Sequence, residues 1–569
     1  MVLCPDIRAE AWSDALARRY DLFLPGHLPG FYLEWTLMVR NARTPNVLMV
    51  FPRFNPNSFW SLAPVCEVWG ARAPAPPLGM ITLAAMLPKD WNVRLVNRNS
   101  EDVTAADFDW ADMVMTGGML PQQDDALALI DLAHSSGKIV VVGGPAATSS
   151  PNDYRSADFL VLGEVEGVIE DFINAWLAGA KSGVFEAPKF TADVTKTPIP
   201  RFDLLKFEDY LYVGVQFSRG CPFNCEFCDI IELYGRVPRA KTNAQMLAEL
   251  DALRAAGYRG HVDFVDDNLI GNKKALKRFL PELCAWQRAH NYPFQFSTEA
   301  SMNLADDREL LEMLREANFF AIFIGIESPD TETLISTQKK QNTRRSLADS
   351  VHKIYAAGMM VIAGFIVGFD TEKSAVAEAM VDCIEATSIP VAMVGLLTAL
   401  PNTQLTRRLE REGRLLPLLA GGGDQCSAGL NFITLRPRRD VLADFRAILI
   451  RIYDPAAFFA RVRHLARVLD RPRLPDTIVW KTVLKELRGL ARTFWAMNIT
   501  RPHLRRHFWA TVIDCLRHQP RNFEYMMTMS VFYLHLGAFA QVLIADLDRQ
   551  IADLDAGVAL EAVPLVPAA

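Results

Sequence analysis

The chain has 569 residues, 50% of them apolar, and a formal net charge of −6. This length exceeds what one ordinary hydrophobic core can serve, so we expect two to four folded domains. With 60 basic and 66 acidic side chains, the charge is too balanced to indicate a nucleic-acid partner. The first ten residues, MVLCPDIRAE, carry charges and lead into no apolar run, which argues against a signal peptide and favours a cytoplasmic protein.

After an N-terminal extension, residues 1–44, short apolar runs alternate with helical patterns. The predicted strands are NVLMVF, WNVRLVN, DMVMTGG, KIVVVGG and DFLVLGE. This alternation predicts a doubly wound, Rossmann-like α/β domain over residues 45–180. Glycine pairs end two of the strands, where a ligand can approach the backbone, although such glycines are also ordinary turn residues. The candidate ligand-binding residues of these loops are Gly117, Gly118, Met119, Gln122, Gly143 and Gly144. An NAD site is disfavoured because the G-x-G-x-x-G fingerprint is absent after the first strand.

Residues 181–205 contain three prolines and little periodicity, which predicts a linker. Residues 206–415 repeat a strand and helix pattern, with strands in YLYVGVQF, HVDFV, PFQFSTEA, FFAIFIGIE, MVIAGFIVGF and VAMVGLL. These units predict a partial or full (β/α) barrel, whose functional residues lie on the loops after the strands. Residues 416–569 have helical patterns and predict a mostly helical C-terminal domain.

The loop after the first barrel strand, SRGCPFNCEFCD, contains Cys221, Cys225 and Cys228, a third of the nine cysteines in the chain. The number is odd and the other six are scattered singly, so we expect reduced thiols rather than a disulfide framework. Three thiolates suit a four-iron cluster in which one iron lacks a protein ligand and can bind a substrate or cofactor. A zinc site completed by a distant His or Cys is the alternative.

The CxxxCx(aromatic)C spacing at this barrel position resembles the radical S-adenosylmethionine (SAM) superfamily, over about residues 206–415. The resemblance implies a 4Fe-4S cluster on the three cysteines, chelated by SAM, whose cleavage yields a 5′-deoxyadenosyl radical. We also expect a reductant such as flavodoxin or ferredoxin. The expected cofactor contacts after later strands are Asp266, Asp267, Asn268, Glu299, Glu327, Ser328, Gly364 and Gly368. For each carboxylate the alternative is a helix cap or a surface ion pair.

The segment GFIVGF resembles the GxIxG segment of this superfamily, which places Gly364 and Gly368 beside adenine. The acidic residue that often follows three positions later is Thr371 in this chain, with Asp370 and Glu372 on either side. The resemblance therefore leaves that acidic contact unassigned.

A doubly wound domain before such a barrel resembles the cobalamin-binding subclass of radical SAM methyltransferases. Many cobalamin domains carry a D-x-H-x-x-G motif, but the nearest match here, DLAHSSG, has Asp131 three residues before His134 and lies at a helix end. His134 is therefore interpreted as a surface residue at a helix terminus. The resemblance implies that the lower face of cobalt lacks this histidine and that the glycine loops named above form the walls of the cobalamin site.

Further segments, among them FPRFNPNSFW, PPLGMITLAAMLP, LGEVEG, GIESPD and KKQN, resemble one bacterial subfamily that includes hopanoid C-2 and bacteriochlorophyll side-chain methylases. This resemblance implies methylation of an unactivated carbon in an apolar substrate. The preferred hypothesis is methylation at C-2 of a hopanoid-type polycyclic lipid. A carbon without a lone pair or an acidic proton needs a radical route. The alternatives are a tetrapyrrole or another natural product, a cyclisation or oxidation without methyl transfer, and a redox protein whose cluster only senses oxygen.

The C-terminal region contains RTFWAMNITRPHLRRHFW, residues 492–509, and then YMMTMSVFYLHLGAFAQVLIA, 21 residues without a charge. The second stretch is long enough to span a bilayer, but its Thr528, Ser530, His535 and Gln541 favour a buried or membrane-surface helix. Basic and aromatic residues beside an apolar helix suit contact with the inner face of the membrane or with a lipid substrate. An ordinary helical cap on the barrel is the alternative.

Overall fold

The structure is a computed structural model that describes residues 44–416, 426–427, 429–472 and 480–557. All but the last residue of the predicted N-terminal extension, 1–44, lies outside the described residues. The elements below belong to one compact unit, which begins at Asn46.

The first domain is built on a parallel sheet with the strand order β2-β1-β3-β4-β5-β6. Its strands are β1 (Asn46–Phe51), β2 (Asn92–Asn97), β3 (Met113–Gly117), β4 (Ile139–Gly143), β5 (Phe159–Leu162) and β6 (Gly183–Glu186). Its helices are α1 (Ala63–Trp69), α2 (Leu78–Met86), α3 (Ala105–Trp110), α4 (Gln123–Ser135), α5 (Gly144–Ser149) and α6 (Ile169–Leu177). The short strand β6 lies inside the segment predicted to be a linker, because the sequence pattern of its residues did not predict a strand.

Both faces of this sheet are covered by helices, which confirms the doubly wound prediction. Val47 and Met49 of β1 pack with α2 and α6, whereas Leu48 and Val50 pack with α3 and α4. Successive side chains of a strand point to opposite faces, so a strand covered on both sides reads as the continuous apolar run NVLMVF. His134 lies in the last turn of α4, as expected, with its Nε2 2.9 Å from Oδ2 of Asp158.

The second domain is a partial barrel of six parallel strands that neighbour one another in chain order, β7-β10-β11-β12-β13-β14. Its strands are β7 (Val213–Val215), β8 (Ser218–Arg219), β9 (Arg239–Ala240), β10 (Gly260–Phe264), β11 (Phe294–Glu299), β12 (Phe319–Glu327), β13 (Met360–Val367) and β14 (Ala392–Leu396). Strands β8 and β9 form a separate antiparallel ribbon. Its helices are α7 (Ile230–Leu233), α8 (Asn243–Ala255), α9 (Lys273–Ala289), α10 (Arg308–Glu316), α11 (Thr331–Ser336), α12 (Leu347–Ala356), α13 (Val376–Thr387) and α14 (Gln404–Arg411).

The C-terminal part is helical, as predicted. Its helices are α15 (Arg438–Ile452), α16 (Pro455–Val468), α17 (Trp480–Trp495), α18 (Arg505–His518) and α19 (Phe523–Asp555), and a π-helical turn (Ala496–Thr500) follows α17. Helix α19 packs against α15, α16 and α18, and also against α1 of the first domain.

The uncharged stretch of the C-terminal region lies within α19. By length and composition alone the helical segment Pro520–Asp555 could cross a membrane, because its most apolar window has a mean hydropathy of 1.5. However, 67% of that window is buried inside the protein. The Ser530 hydroxyl donates to the carbonyl of Met526, and the imidazole Nε2 of His535 lies 2.8 Å from the carbonyl oxygen of Phe59. Ser530 and His535 therefore have hydrogen-bond partners within the protein fold.

Candidate functional site

The three clustered cysteines lie on a loop that follows the ribbon strand β8. Cys225 is buried and the other two are half-buried, and all eight cysteines within the described ranges are free thiols, as expected. The loop begins at Gly220, whose φ of +95° disfavours any residue with a side chain. A Cβ added to Gly220 would lie only 2.9 Å from the carbonyl oxygen of Gly235, so there is also no space for one. The Cys221 amide donates to that same carbonyl. Gly220 therefore lets the loop fold tightly over Gly235.

Two residues predicted to be cofactor contacts, Asp266 and Asp267, hold the start of this loop. The Asp266 carboxylate accepts hydrogen bonds from the amides of Phe217 and Ser218, at 2.9 and 2.5 Å, and from the Ser218 hydroxyl. The Asp267 carboxylate accepts from the Gly220 amide at 2.9 Å. Burial raises the pKa of Asp266 to about 7 and that of Asp267 to about 6, although these hydrogen bonds act in the opposite direction. Both aspartates therefore act as supports for the cysteine loop.

Amide groups approach two of the thiols. The side-chain nitrogen of Asn268 lies 3.8 Å from Sγ of Cys221, and that of Gln341 lies 3.8 Å from Sγ of Cys225. Asn268 is also 3.2 Å from the Ser301 hydroxyl, which fixes its orientation. Hydrogen bonds to ligand sulfurs are one of the features by which a protein sets the potential of an iron-sulfur cluster.

A buried ion pair stands beside the same thiols. Nζ of Lys339 lies 2.6 Å from Oε1 of Glu327, a predicted site residue whose φ is +66°. Burial lowers the pKa of Lys339, but Glu327 and the thiolates of Cys225 and Cys228 outweigh it and raise that pKa overall. An added Cβ on Gly325 would collide with the Glu327 carboxylate, so this glycine makes room for the pair. Lys339 and Gln341 belong to the segment KKQN, whose resemblance to the subfamily gave neither residue a role in the site.

This donor set fits an iron-sulfur cluster. It offers three thiols on one loop, two amide donors and one ammonium group, with no fourth cysteine on the loop. Within the described ranges no three side chains of His, Cys, Asp or Glu converge closely enough to hold one metal ion. Thiolates that bind different irons of a cluster stand farther apart than the ligands of a single ion, so this spacing gives the zinc alternative no support.

Glu299, at the end of β11, is the carboxylate most available to a ligand. Its side chain is accessible and has no hydrogen-bond partner among the residues that the structure describes. Because protein surrounds it, burial raises its pKa to about 8, and the carboxylates of Asp263 and Asp267 add to the rise. It therefore lines an internal cleft. On the same strand Ser297 lies 2.6 Å from Nε2 of His261 and donates to Asp263.

The remaining predicted barrel residues are less accessible to a ligand. Ser328 is fully buried, and its hydroxyl accepts from the Asp330 amide in a turn. Gly364 lies on β13, where an added Cβ would be 3.2 Å from the ring of Phe323. Gly368 has a φ of +112° and donates its amide to the buried carboxylate of Glu372 at 2.9 Å.

Neither acid beside Thr371 is free for adenine. Glu372 is engaged by Gly368, and Asp370 forms ion pairs with Arg408 and Arg414 at 2.8 and 2.5 Å. The Thr371 hydroxyl lies 3.0 Å from that of Thr333. The structure therefore offers a structural use for each of the acidic residues after the GxIxG-like segment.

The glycine loops lie at the carboxyl edge of the first sheet, where open α/β sheets bind ligands. Gly117 and Gly143 let neighbouring strands approach, because a Cβ on Gly117 would collide with the Gly143 carbonyl. Gly144 has a φ of +88°, and a Cβ added to it would lie 3.3 Å from the amide nitrogen of Gly118. Met119 is 49% exposed and is the side chain here that a ligand can reach.

Gln122 has an internal role in the same loop. Its side-chain oxygen accepts from the Met119 amide at 3.0 Å, and its nitrogen donates to the Pro52 carbonyl at 2.6 Å. It is 1% exposed, so it joins the loops after β1 and β3 rather than facing solvent. These loops flank the switch point of the strand order, between β1 and β3.

The two candidate sites are joined by buried ion pairs. Arg219 of β8 contacts Glu166 and Glu164, from the loop after β5, at 2.7 and 3.3 Å. Arg239 of β9 contacts Glu164 at 2.8 Å. Helix α5, which follows β4, also packs against α7, the helix directly after Cys228. The loops predicted to hold cobalamin and the loop predicted to hold the cluster are therefore parts of one contiguous region.

Family profiles match all three parts of the chain. The B12 binding domain matches residues 71–173, the radical SAM superfamily matches residues 215–384, and a domain of unknown function matches residues 403–548. The radical SAM methyltransferase TsrM from Kitasatospora setae, solved with cobalamin and a [4Fe-4S] cluster bound, has the same fold. Its TM-score is 0.57 at 17% identity, and the match covers 82% of this chain and 100% of that one.

Two relatives are similar over most of their length. An uncharacterized methyltransferase of Synechocystis sp. is 44% identical over 508 residues, which cover 89% of this chain and 94% of the relative. The hopanoid C-2 methylase of Rhodopseudomonas palustris is 35% identical over 472 residues, which cover 81% of this chain and 88% of the relative. The cofactors are a 4Fe-4S cluster, SAM and cobalamin, as expected. The chain belongs to the cobalamin-dependent radical SAM methyltransferases.

Proposed function

We propose that this enzyme methylates an unactivated carbon of a hopanoid-type polycyclic lipid, at C-2. The observation that carries the proposal is the 35% identity to the hopanoid C-2 methylase over 88% of that relative. Because it covers 81% of this chain, the similarity must extend into the cobalamin domain, the barrel and the helical part, and so it involves regions that would shape a substrate site.

The lining of the cleft supports an apolar substrate. Trp60, from the loop after β1, is 37% exposed, and its ring centroid lies 5.9 Å from that of Phe323 on β12. Phe323 in turn faces Gly364. Val265, after β10, is exposed beside Gly214 of β7. Accessible aromatic and aliphatic side chains at a domain junction are what a rigid hydrocarbon needs for binding.

We further propose that Cys221, Cys225 and Cys228 hold the cluster and that the loops around Gly118 and Gly144 hold cobalamin. When bound there, these groups would supply the radical that removes hydrogen from carbon and the methyl group that replaces it. The chain itself braces the cysteine loop through Asp266 and Asp267.

We place the enzyme in the cytoplasm, at the inner face of the membrane, with a reductant such as flavodoxin or ferredoxin as its electron source. The location follows from the proposed substrate, because a polycyclic lipid resides in the membrane. Electron supply follows from the family chemistry, since SAM cleavage at the cluster is reductive.

The test is an anaerobic assay with SAM carrying a deuterated methyl group. We expect the purified, reconstituted enzyme to convert a desmethyl hopanoid into a product labelled at C-2, together with 5′-deoxyadenosine. Cys228→Ala is the inactive control. If a tetrapyrrole is methylated instead, or 5′-deoxyadenosine forms with no methylated product, the lipid assignment is wrong. Absence of SAM cleavage under dithionite would favour the oxygen-sensing alternative.

A further inference from the structure

A stripe of apolar side chains is exposed on the helical domain. It consists of Trp495, Ile499, Trp509, Ile513 and Leu516, which are between 41% and 65% exposed. We call these five residues the docking face. Trp495 and Ile499 are four residues apart, which places them on one side of their helical segment. In the second segment, Trp509, Ile513 and Leu516 follow one another at spacings of four and three residues, which also places them on one side.

The two helical segments of the docking face are held side by side. The indole nitrogen of Trp509 donates to Oδ1 of Asn498 at 2.8 Å, and its ring lies 5.6 Å from that of Phe494. Arg505 donates to the carbonyl of Asn498. The exposed residues therefore form one continuous surface rather than isolated apolar side chains, which would need no explanation.

The surroundings of the docking face are strongly basic. Residues 487–522 contain seven arginines and one aspartate, in a chain whose overall charge is negative. The aspartate, Asp514, is paired with Arg467. Exposed arginines without an ion pair among the described residues are Arg501, Arg506, Arg517 and Arg521. This part of the surface therefore carries a net positive charge beside large apolar groups.

We propose that the docking face binds an anionic lipid surface, with its tryptophans in the headgroup region and the arginines on lipid phosphates. Tryptophan is enriched at membrane interfaces, and arginines near an anionic leaflet add electrostatic attraction. A second copy of this chain fits less well, since two such faces would bring like charges together. The 21-residue uncharged stretch is not this contact, because α19 is largely buried.

The docking face is connected to the proposed substrate cleft. Helix α18 packs on α19, and α19 contacts the carbonyl of Phe59, which precedes Trp60 of the cleft. An enzyme resting on this face would hold its cleft at a fixed height above the lipid. This inference rests on the proposed function in that a membrane lipid gives the contact its purpose, but the binding itself is testable without any substrate.

The test is sedimentation of the full-length protein with vesicles of phosphatidylcholine, alone or mixed with phosphatidylglycerol. We expect binding to the mixed vesicles only, weakened by high salt. Trp495→Ser with Ile513→Ser, and separately Arg506→Glu with Arg517→Glu, should each reduce binding by about tenfold. The matched controls Leu177→Ser, at an exposed position at the end of α6, and Arg155→Glu should bind as the wild type does. An unchanged thermal midpoint and cobalamin spectrum verify folding.

Equal binding by the docking-face variants and the controls would overturn the proposal, as would no binding by the wild type. A dimer in light scattering that the same variants dissociate would assign the face to a second copy. A failure of the substrate assignment can be distinguished from a failure of the docking proposal. If no hopanoid is methylated but the vesicle result holds, the docking face stands and the substrate assignment falls. With hopanoid embedded in vesicles, we expect the docking-face variants to methylate it more slowly than the controls do. With hopanoid dispersed in detergent, we expect all variants to be equally active.

Discussion

Arg219, two residues before the first clustered cysteine, lies 2.7 Å from the carboxylate of Glu166 in the first domain. Burial raises the pKa of Glu166, but its hydrogen bond and ion pair with Arg219 outweigh this and lower the pKa. Because both groups are mostly buried, removing the Glu166 charge leaves Arg219 with only its longer contact to Glu164, at 3.3 Å, to compensate it. The cysteine loop and the first domain are therefore joined by an interaction that is costly to break.

We expect Glu166→Gln to destabilise the protein by about 3 kcal/mol, as for other half-broken buried pairs. The measurement is the midpoint of thermal unfolding of the apoprotein, with the iron content after reconstitution as a second readout. Arg308→Gln removes an exposed pair with Glu312 and should cost less than about 1 kcal/mol. Equal effects of the two variants would contradict the interdomain role.

Removing the charge of Lys339 should change the electron affinity of the cluster. We expect Lys339→Gln to shift the reduction potential downward, on the order of tens of millivolts, because a nearby cation stabilises the more negative reduced state. Lys339→Arg should retain most of the potential. The measurement is a redox titration followed by electron paramagnetic resonance. Lys340→Gln, an exposed neighbour, is the control, and an equal shift there would refute a local effect.

Each clustered cysteine should be needed for iron. We expect Cys221→Ala, Cys225→Ala and Cys228→Ala each to abolish the visible absorption of the reconstituted protein and to lower its iron and sulfide content, because each removes one of the three proposed thiolate ligands. Cys284→Ala and Cys515→Ala, which alter buried thiols elsewhere, should retain both. Zinc in place of iron in the anaerobically purified protein would be inconsistent with the cluster assignment.

The Glu372 carboxyl should make stability depend on pH. Burial raises its pKa from 4.5 to about 7, despite the hydrogen bond from Gly368. The folded state then keeps a proton that the unfolded state has lost between these values, so stability falls as pH rises from about 4.5 to about 7, by about 3 kcal/mol for this group. Glu372→Gln should flatten the dependence of the thermal midpoint on pH in the apoprotein. Glu378→Gln, on an exposed residue, should leave that slope unchanged.

Local patterns were sufficient to predict most of the fold. The run FFAIFIGIE matches β12, Phe319–Glu327, residue for residue. A short, uninterrupted apolar run bounded by charged and turn residues is typical of a buried strand and fits few other elements. Strand β6 was missed because a four-residue edge strand that is half exposed has little apolar pattern. The cysteines were found because their spacing is local.

The supports of the cysteine loop could not be predicted in the same way. Gln341 and Cys225 are 116 residues apart in the chain, and no spacing rule connects them. Sequence also cannot tell whether a carboxylate after a strand faces a ligand or a backbone amide. Asp266 faces amides, whereas Glu299, at an equivalent strand end, has no such partner among the described residues. This difference depends on how the neighbouring strand continues, which only the folded chain reveals.

The contact between His535 and Phe59 joins residues 476 positions apart. During synthesis on the ribosome, the loop that carries Trp60 emerges long before the helix that secures it. The growing chain must therefore hold an apolar surface on α1 without its partner until α19 has been made, a situation in which chaperones are commonly needed. Fragments that end before His535 would expose that surface permanently, so the cobalamin domain and barrel are poor candidates for expression without the helical domain.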